Sequence, residues 1–153
     1  NRHERRAIDS LKRRIRRADA RAFRTFGTSA YSVARQHGAG TVQRPLQESL
    51  DLAIKAQVHM HRSVKRSLGE KITQHCVEML DLMALANATQ RDERAAHIAR
   101  LLAIQRSVTV LMRVSHDARY ISPKMWAKSI DLLGSVGAQA GGWLKKTNRA
   151  PAA

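Results

Sequence analysis

Between residues 46 and 149 the apolar residues return every three or four positions, in four runs of about 20 residues separated by short breaks. That spacing paints a stripe along one side of an α-helix, whereas a half-buried strand would alternate. In the first run, over about 46–66, Leu46, Leu50, Ala53, Ile54, Val58, His61 and Val64 share the stripe, and Pro45 suits a first helical turn. The second, about 68–87, carries Leu68, Ile72, Cys76, Met79, Leu80 and Met83, and ends in "NATQ". The third, about 91–116, carries Ile98, Leu101, Leu102, Ile104, Val108, Leu111 and Met112. Ser122 is a natural N-cap, with Pro123 just inside it. The fourth run, about 124–147, then offers Met125, Trp126, Ile130, Leu133, Val136, Ala140, Trp143 and Leu144.

Four rods of similar length on short connections predict an all-α, up-down antiparallel four-helix bundle over 46–149, with 150–153 a tail. Hydrophobic residues make up 43% of the 153 and aromatics only 4%, so the core has to be aliphatic. No run of about 18 apolar residues occurs, so the sequence predicts no membrane span, and no signal-peptide apolar region is found. Cys76 is the single cysteine, which rules out an internal disulfide and fits a reducing cytoplasm.

Residues 1–45 read differently. They hold 12 Lys and Arg against 3 acids, in a chain whose net charge is +16. Ile8, Leu11, Ile15, Ala18 and Ala22 predict a basic amphipathic helix over about 4–24, followed by a Gly- and Ser-rich linker. The expected domain division is therefore a basic, partly helical extension over 1–45 and the bundle after it. A large cationic excess points to a polyanionic partner, nucleic acid first. The candidate phosphate-binding residues in the extension are Arg5, Arg6, Lys12, Arg13, Arg14, Arg16, Arg17, Arg21 and Arg24. Phe23, Phe26 and Tyr31 follow them, positioned either to stack on unpaired bases or to pin the arm to the bundle. In the bundle the candidates are Arg62, Lys65, Arg66, Arg106, Arg113, Lys145, Lys146 and Arg149. Those near helix C-termini equally well complement the helix dipole.

"GSVGAQAGGWLKK" sets small residues four apart inside the fourth run: Gly134, Ala138 and Gly142 on one row, Gly137 and Gly141 on the next. Such a ridge lets a second helix approach closely. The partner is either a neighbouring helix of the same chain or another subunit, in which case Gly134, Ala138, Gly141, Gly142 and Trp143 form the interface.

Catalytic chemistry finds little to work with. His59 and His61, two apart, point about 200° apart on a helix and cannot share a metal. The carboxylates form no paired-acid pattern, and no phosphate loop of the G-x-x-x-x-G-K-[ST] kind occurs. The reading is of a protein with no enzymatic role, no metal and no cofactor.

"YISPKMWAKSIDLLGSVGAQAGGWLKKTNR" resembles the last helix of the accessory variability determinants of diversity-generating retroelements, and "HCVEMLDLMALANAT" resembles their second helix. These belong with the four-helix bundle proteins encoded by intervening sequences in bacterial ribosomal RNA genes. The resemblance covers about 46–149. It implies a non-catalytic, bacterial or phage-encoded cytoplasmic protein. It also implies a homopentamer with a basic surface that binds the retroelement's reverse transcriptase and its template RNA or cDNA, and supports mutagenic cDNA synthesis and retrohoming. The basic extension departs from the compact family pattern: it reads as extra RNA-binding surface, a docking arm for the polymerase, or part of another assembly. The alternative from the residues alone is a general basic helical nucleic-acid-binding protein of a phage or mobile element, with no polymerase partner. A membrane-surface role for residues 4–24 is disfavoured, because that stripe lacks the large apolar residues that insertion needs.

Overall fold

The computed structural model describes residues 40–149, together with the single positions Arg6, Arg13 and Arg17, which are helical and exposed. The rest of the expected extension, including the helix over 4–24 and the linker, lies outside the described residues, as does the tail. The described chain is all helical. Helix α1 spans Gly40–His59, α2 Glu70–Ala88, α3 Arg91–Asp117 and α4 Pro123–Arg149. A short turn of helix, Arg62–Val64, and a π-turn, Lys65–Gly69, connect α1 to α2. The contacting pairs close a ring: α1 on α2, α2 on α3, α3 on α4, and α4 back on α1.

Each helix turns most of its expected stripe inward. Leu46, Leu50, Ala53 and Ile54 of α1 share one core with Ile72, Cys76, Met79 and Met83 of α2. Ile98, Leu101, Val108 and Met112 of α3 and Leu133, Val136 and Ala140 of α4 complete it. Burying a side chain of this size contributes about 1.5–3 kcal/mol, so the aliphatic rows are the main stabilising term. A small pocket of about 10 Å³ lies between all four helices, lined by residues that include Ser49, Ile72, Cys76, Met112 and Ser129. It has room for at most one water molecule.

The structure corrects several expectations. Helix α1 begins at Gly40, inside the expected linker, so Pro45 lies within it rather than at its first turn. Proline removes one backbone donor there, and the Ser49 hydroxyl donates to the Pro45 carbonyl at 2.7 Å. The same helix ends at His59, not near 66, and His61 is exposed instead of inward. His61 Nδ1 accepts a hydrogen bond from the Ser63 backbone N–H at 3.3 Å and caps the short turn that follows. The chain re-enters the bundle at the π-turn, where Gly69 packs directly on α1: a Cβ there would sit 2.9 Å from Gln57 Cγ and 3.0 Å from Met60 Sδ. In α4, Ile130 is 46% exposed rather than inward, and Ser129 and Leu132 are buried beside it. Asn87 is buried near the end of α2 with neither end of its amide hydrogen-bonded.

The ends of α3 and α4 are well defined. Ser122 Oγ accepts from the Met125 N–H at 3.1 Å, the expected N-cap. Helix α3 stops in a Schellman turn: Tyr120 N–H donates to Ser115 O at 2.8 Å and Arg119 N–H to His116 O at 2.9 Å. Arg119 sits at φ 61°, in the left-handed region that a side chain disfavours. Arg119→Gly is therefore expected to stabilise the protein by about 0.5–1 kcal/mol, read as a raised melting temperature; an unchanged or lowered midpoint would contradict the strain.

Burial pushes the Cys76 thiol up to about 12 from its ordinary value of 9.0. The protonated thiol is favoured in the folded state, so its contribution is complete below about pH 9. It is lost as pH rises from there towards 12, where only the unfolded chain gives up the proton. The loss of stability across that window is expected to be shallower in Cys76→Ala. At about pH 8 the folded wild type should resist thiol reagents until it unfolds. Rapid stoichiometric labelling of the folded protein would overturn this placement.

Candidate nucleic-acid interface

The aliphatic core uses the inner faces, so the cations are left on the outside. Few of them meet acids. Arg44 pairs with Glu48 at 3.0 Å and Lys55 with Asp51 at 3.1 Å, each one helical turn apart. Arg100 crosses from α3 to Glu78 of α2 at 2.9 Å. Arg113 approaches Asp117 at 3.8 Å. Arg94 is used structurally: its Nε donates to Ala86 O at 2.9 Å and to Thr89 O at 3.0 Å, closing the carbonyl end of α2.

The other candidates on the connector, on α3 and at the end of α4 meet no carboxylate among the described residues. Arg62, Lys65 and Arg66 stand on the connector between α1 and α2, with Arg62 and Arg66 exposed and Lys65 half-buried. Lys145, Lys146 and Arg149 are exposed on the last turns of α4, and Arg106 on the outside of α3. Four further cations join them that the sequence reading passed over: Lys71 beside the connector, and Arg119, Lys124 and Lys128 at the turn between α3 and α4, all exposed. Their signal was in the sequence, since Lys71, Arg119 and Lys124 have no acid three or four positions away. Of the extension's candidates, Arg6, Arg13 and Arg17 are exposed and helical; Arg5, Lys12, Arg14, Arg16, Arg21 and Arg24 lie outside the described residues.

The connector earns its exposure from its backbone. The π-turn closes with the Glu70 N–H on Lys65 O, and Thr73 Oγ1 lies 2.8 Å from Gln57 Oε1 and 3.0 Å from Gly69 O. This ties the root of the loop to α1 while Arg62 and Arg66 project outward. Exposed guanidinium and ammonium groups held on a fixed backbone suit phosphate oxygens, with arginine able to bind two at once.

The glycine row behaves unexpectedly. Only Gly137 abuts another helix: a Cβ there would lie 3.3 Å from Gln105 Nε2, whose amide donates to Leu133 O at 2.8 Å and joins α3 to α4. Gly134, Gly141 and Gly142 have no atom within 4 Å of a Cβ, and Ala138 is exposed. Close packing inside the chain therefore does not account for those four. Trp143 is half-buried against the core. The contact between α3 and α4 is completed where His116 stacks on Trp126, with ring centroids 5.6 Å apart.

Among the described residues no three or more His, Cys, Asp or Glu side chains gather as a metal set, and no helix is long and apolar enough to cross a membrane. Comparison with protein-family models, characterised proteins and solved structures finds no match for this chain.

In the free chain, Gly134→Ala and Gly142→Ala are each expected to stabilise by about 0.5–1 kcal/mol, since alanine is the better helix former and nothing obstructs it. Gly69→Ala should destabilise, because Gln57 and Met60 have to give way. Thermal melts of the three variants check the order. A loss of assembly mass in Gly134→Ala or Gly142→Ala would mark the row as a contact between subunits.

Proposed function

We propose that this chain is a non-catalytic accessory protein of a diversity-generating retroelement, binding the reverse transcriptase and its template RNA through a basic surface and supporting mutagenic cDNA synthesis. The observation that carries the reading is the set of exposed cations with no acidic partner, on the connector, on the turn before α4 and at the end of α4. A net charge of +16 on so small a body is unfavourable to itself and favourable to a polyanion. The choice of retroelement rests on the resemblance of residues 46–149 to the accessory variability determinants. From it also come the homopentameric state and the bacterial or phage cytoplasm.

In this reading the four helices run up and down as an antiparallel bundle. Short connections and the ring of helix contacts support that. So does the pocket, which Ile72 near the start of α2, Met112 near the end of α3 and Ser129 near the start of α4 line together. In that arrangement the connector and the α3–α4 turn share one end, so Arg62, Arg66, Lys71, Arg119 and Lys124 form one cationic cap. Lys145, Lys146 and Arg149 lie at the other end.

Binding of single-stranded template RNA should weaken steeply with salt, because each neutralised phosphate releases counterions. Replacing Arg62, Lys65 and Arg66 together by Gln is expected to flatten the slope of log K against log salt by about 2. The reverse transcriptase should co-purify with the protein and template RNA at moderate salt. Equal affinity for any duplex and no association with the polymerase would leave a general basic nucleic-acid-binding protein. A failure to bind RNA even in dilute buffer would sink both.

A further inference from the structure

Helix α3 carries two apolar rows, and only one of them is used. The buried row includes Ile98, Leu101, Val108 and Met112. Ala96, Ala99, Ala103, Ser107, Val110 and Val114 make the other, recurring every three or four residues and all exposed; it is apolar but for Ser107, whose hydroxyl turns back to Ala103 O at 3.3 Å. Val110 is 61% and Val114 49% exposed; with Ile130 of α4 they are the exposed large hydrophobics among the described residues. The row occupies the side of α3 turned away from the core, where a surface helix ordinarily carries polar groups. It runs about 27 Å along the helix. Arg100, paired with Glu78, borders one edge of it, and Asp117 follows Val114 at its end.

Its chemistry selects the occupant. Small side chains over five helical turns make a flat track on which another helix can lie closely. Arg106 and Arg113, seven residues apart, border one edge of it. Arg106 has no ion pair, and Arg113 has only the 3.8 Å approach to Asp117. The track therefore asks for a helix with a small apolar ridge and a carboxylate flank. A second copy of this chain fits poorly in a symmetric or a head-to-tail pairing alike, since with 28 Lys and Arg against 12 acids it has few carboxylates to set against those arginines. A lipid surface fits poorly too, because alanine and valine lack the reach that interfacial helices draw from Trp, Phe and Leu. Phosphate gains nothing from the methyl groups of Val110 and Val114.

We infer that the outer face of α3, from Ala96 to Val114, is a docking track for an acidic amphipathic helix of a different protein. It is separate from the cationic cap and stands whether or not that cap binds RNA.

The test uses two synthetic helical peptides with the same Ala/Leu ridge, one flanked by Glu and one by Lys, titrated into the full chain near physiological ionic strength. The Glu-flanked peptide should bind and shift the backbone amide resonances of residues 96–114. The Lys-flanked peptide should not bind. Val110→Ser with Val114→Ser, both at exposed positions that leave the core intact, should weaken binding about tenfold or more, in line with loss of central apolar anchors. Arg106→Gln with Arg113→Gln should weaken it as well. The inference is overturned if the Glu-flanked peptide shifts only the connector and the end of α4, and the valine substitutions change nothing. It is equally overturned if those substitutions abolish self-association of the chain, or its binding to anionic vesicles, while peptide binding is unaffected.

Discussion

One aliphatic core, filled from four helices at once, is the constraint on which the rest of this molecule depends. None of the four can bury its stripe alone, and each stripe is made of Leu, Ile, Val, Met and Ala with almost no aromatic mass. Closing the ring of helices satisfies all four stripes together. It also decides the surface. Once the apolar rows are inside, the lysines and arginines have nowhere to go but out. Some of the acids pair locally, as Glu48 and Asp51 do, and Glu78 ties α2 to α3 through Arg100. Ion pairs of this exposed kind contribute about a few tenths of a kcal/mol each and are not what holds the fold.

Much of this was readable from the residues. The four helical runs, the Ser122–Pro123 start of α4 and most of the core follow from a period of 3.6 and ordinary cap chemistry. What escaped has physical causes. Proline at position 45 signals a helix start, yet the helix began five residues earlier, and the Ser49 hydroxyl bonds the carbonyl of the proline. Residues 60–66 read as the continuation of the first helix because His61 and Val64 keep its spacing. The break at Met60 and the π-turn arise from the seating of Gly69 on Gln57 and Met60, a tertiary contact that leaves no periodic trace. Ile130 faces outward and Leu132 inward, a choice between neighbouring positions that the stripe alone did not specify.

The candidate interface divides in the same manner. Charge excess is visible in composition, and Arg62, Lys65, Arg66, Lys145, Lys146 and Arg149 could be named from position alone. Which cations are free could not, because Arg94 looks like any other surface arginine until its bonds to Ala86 O and Thr89 O are seen. The outer row of α3 was hidden for a different reason. Its alanines and valines sit beside core residues in the sequence, and two apolar rows on one helix blur into a single hydrophobic stretch. Geometry separates the surface into a cationic part suited to phosphate and an uncharged track suited to another helix.

The division of the surface can be measured directly by photocross-linking the protein to single-stranded RNA and mapping the linked residues by mass spectrometry. This account predicts cross-links concentrated at residues 62–71, 119–128 and 145–149, and few along 96–114. Cross-links spread over all helices in proportion to exposed area, or concentrated on the Val110 and Val114 face, would contradict it.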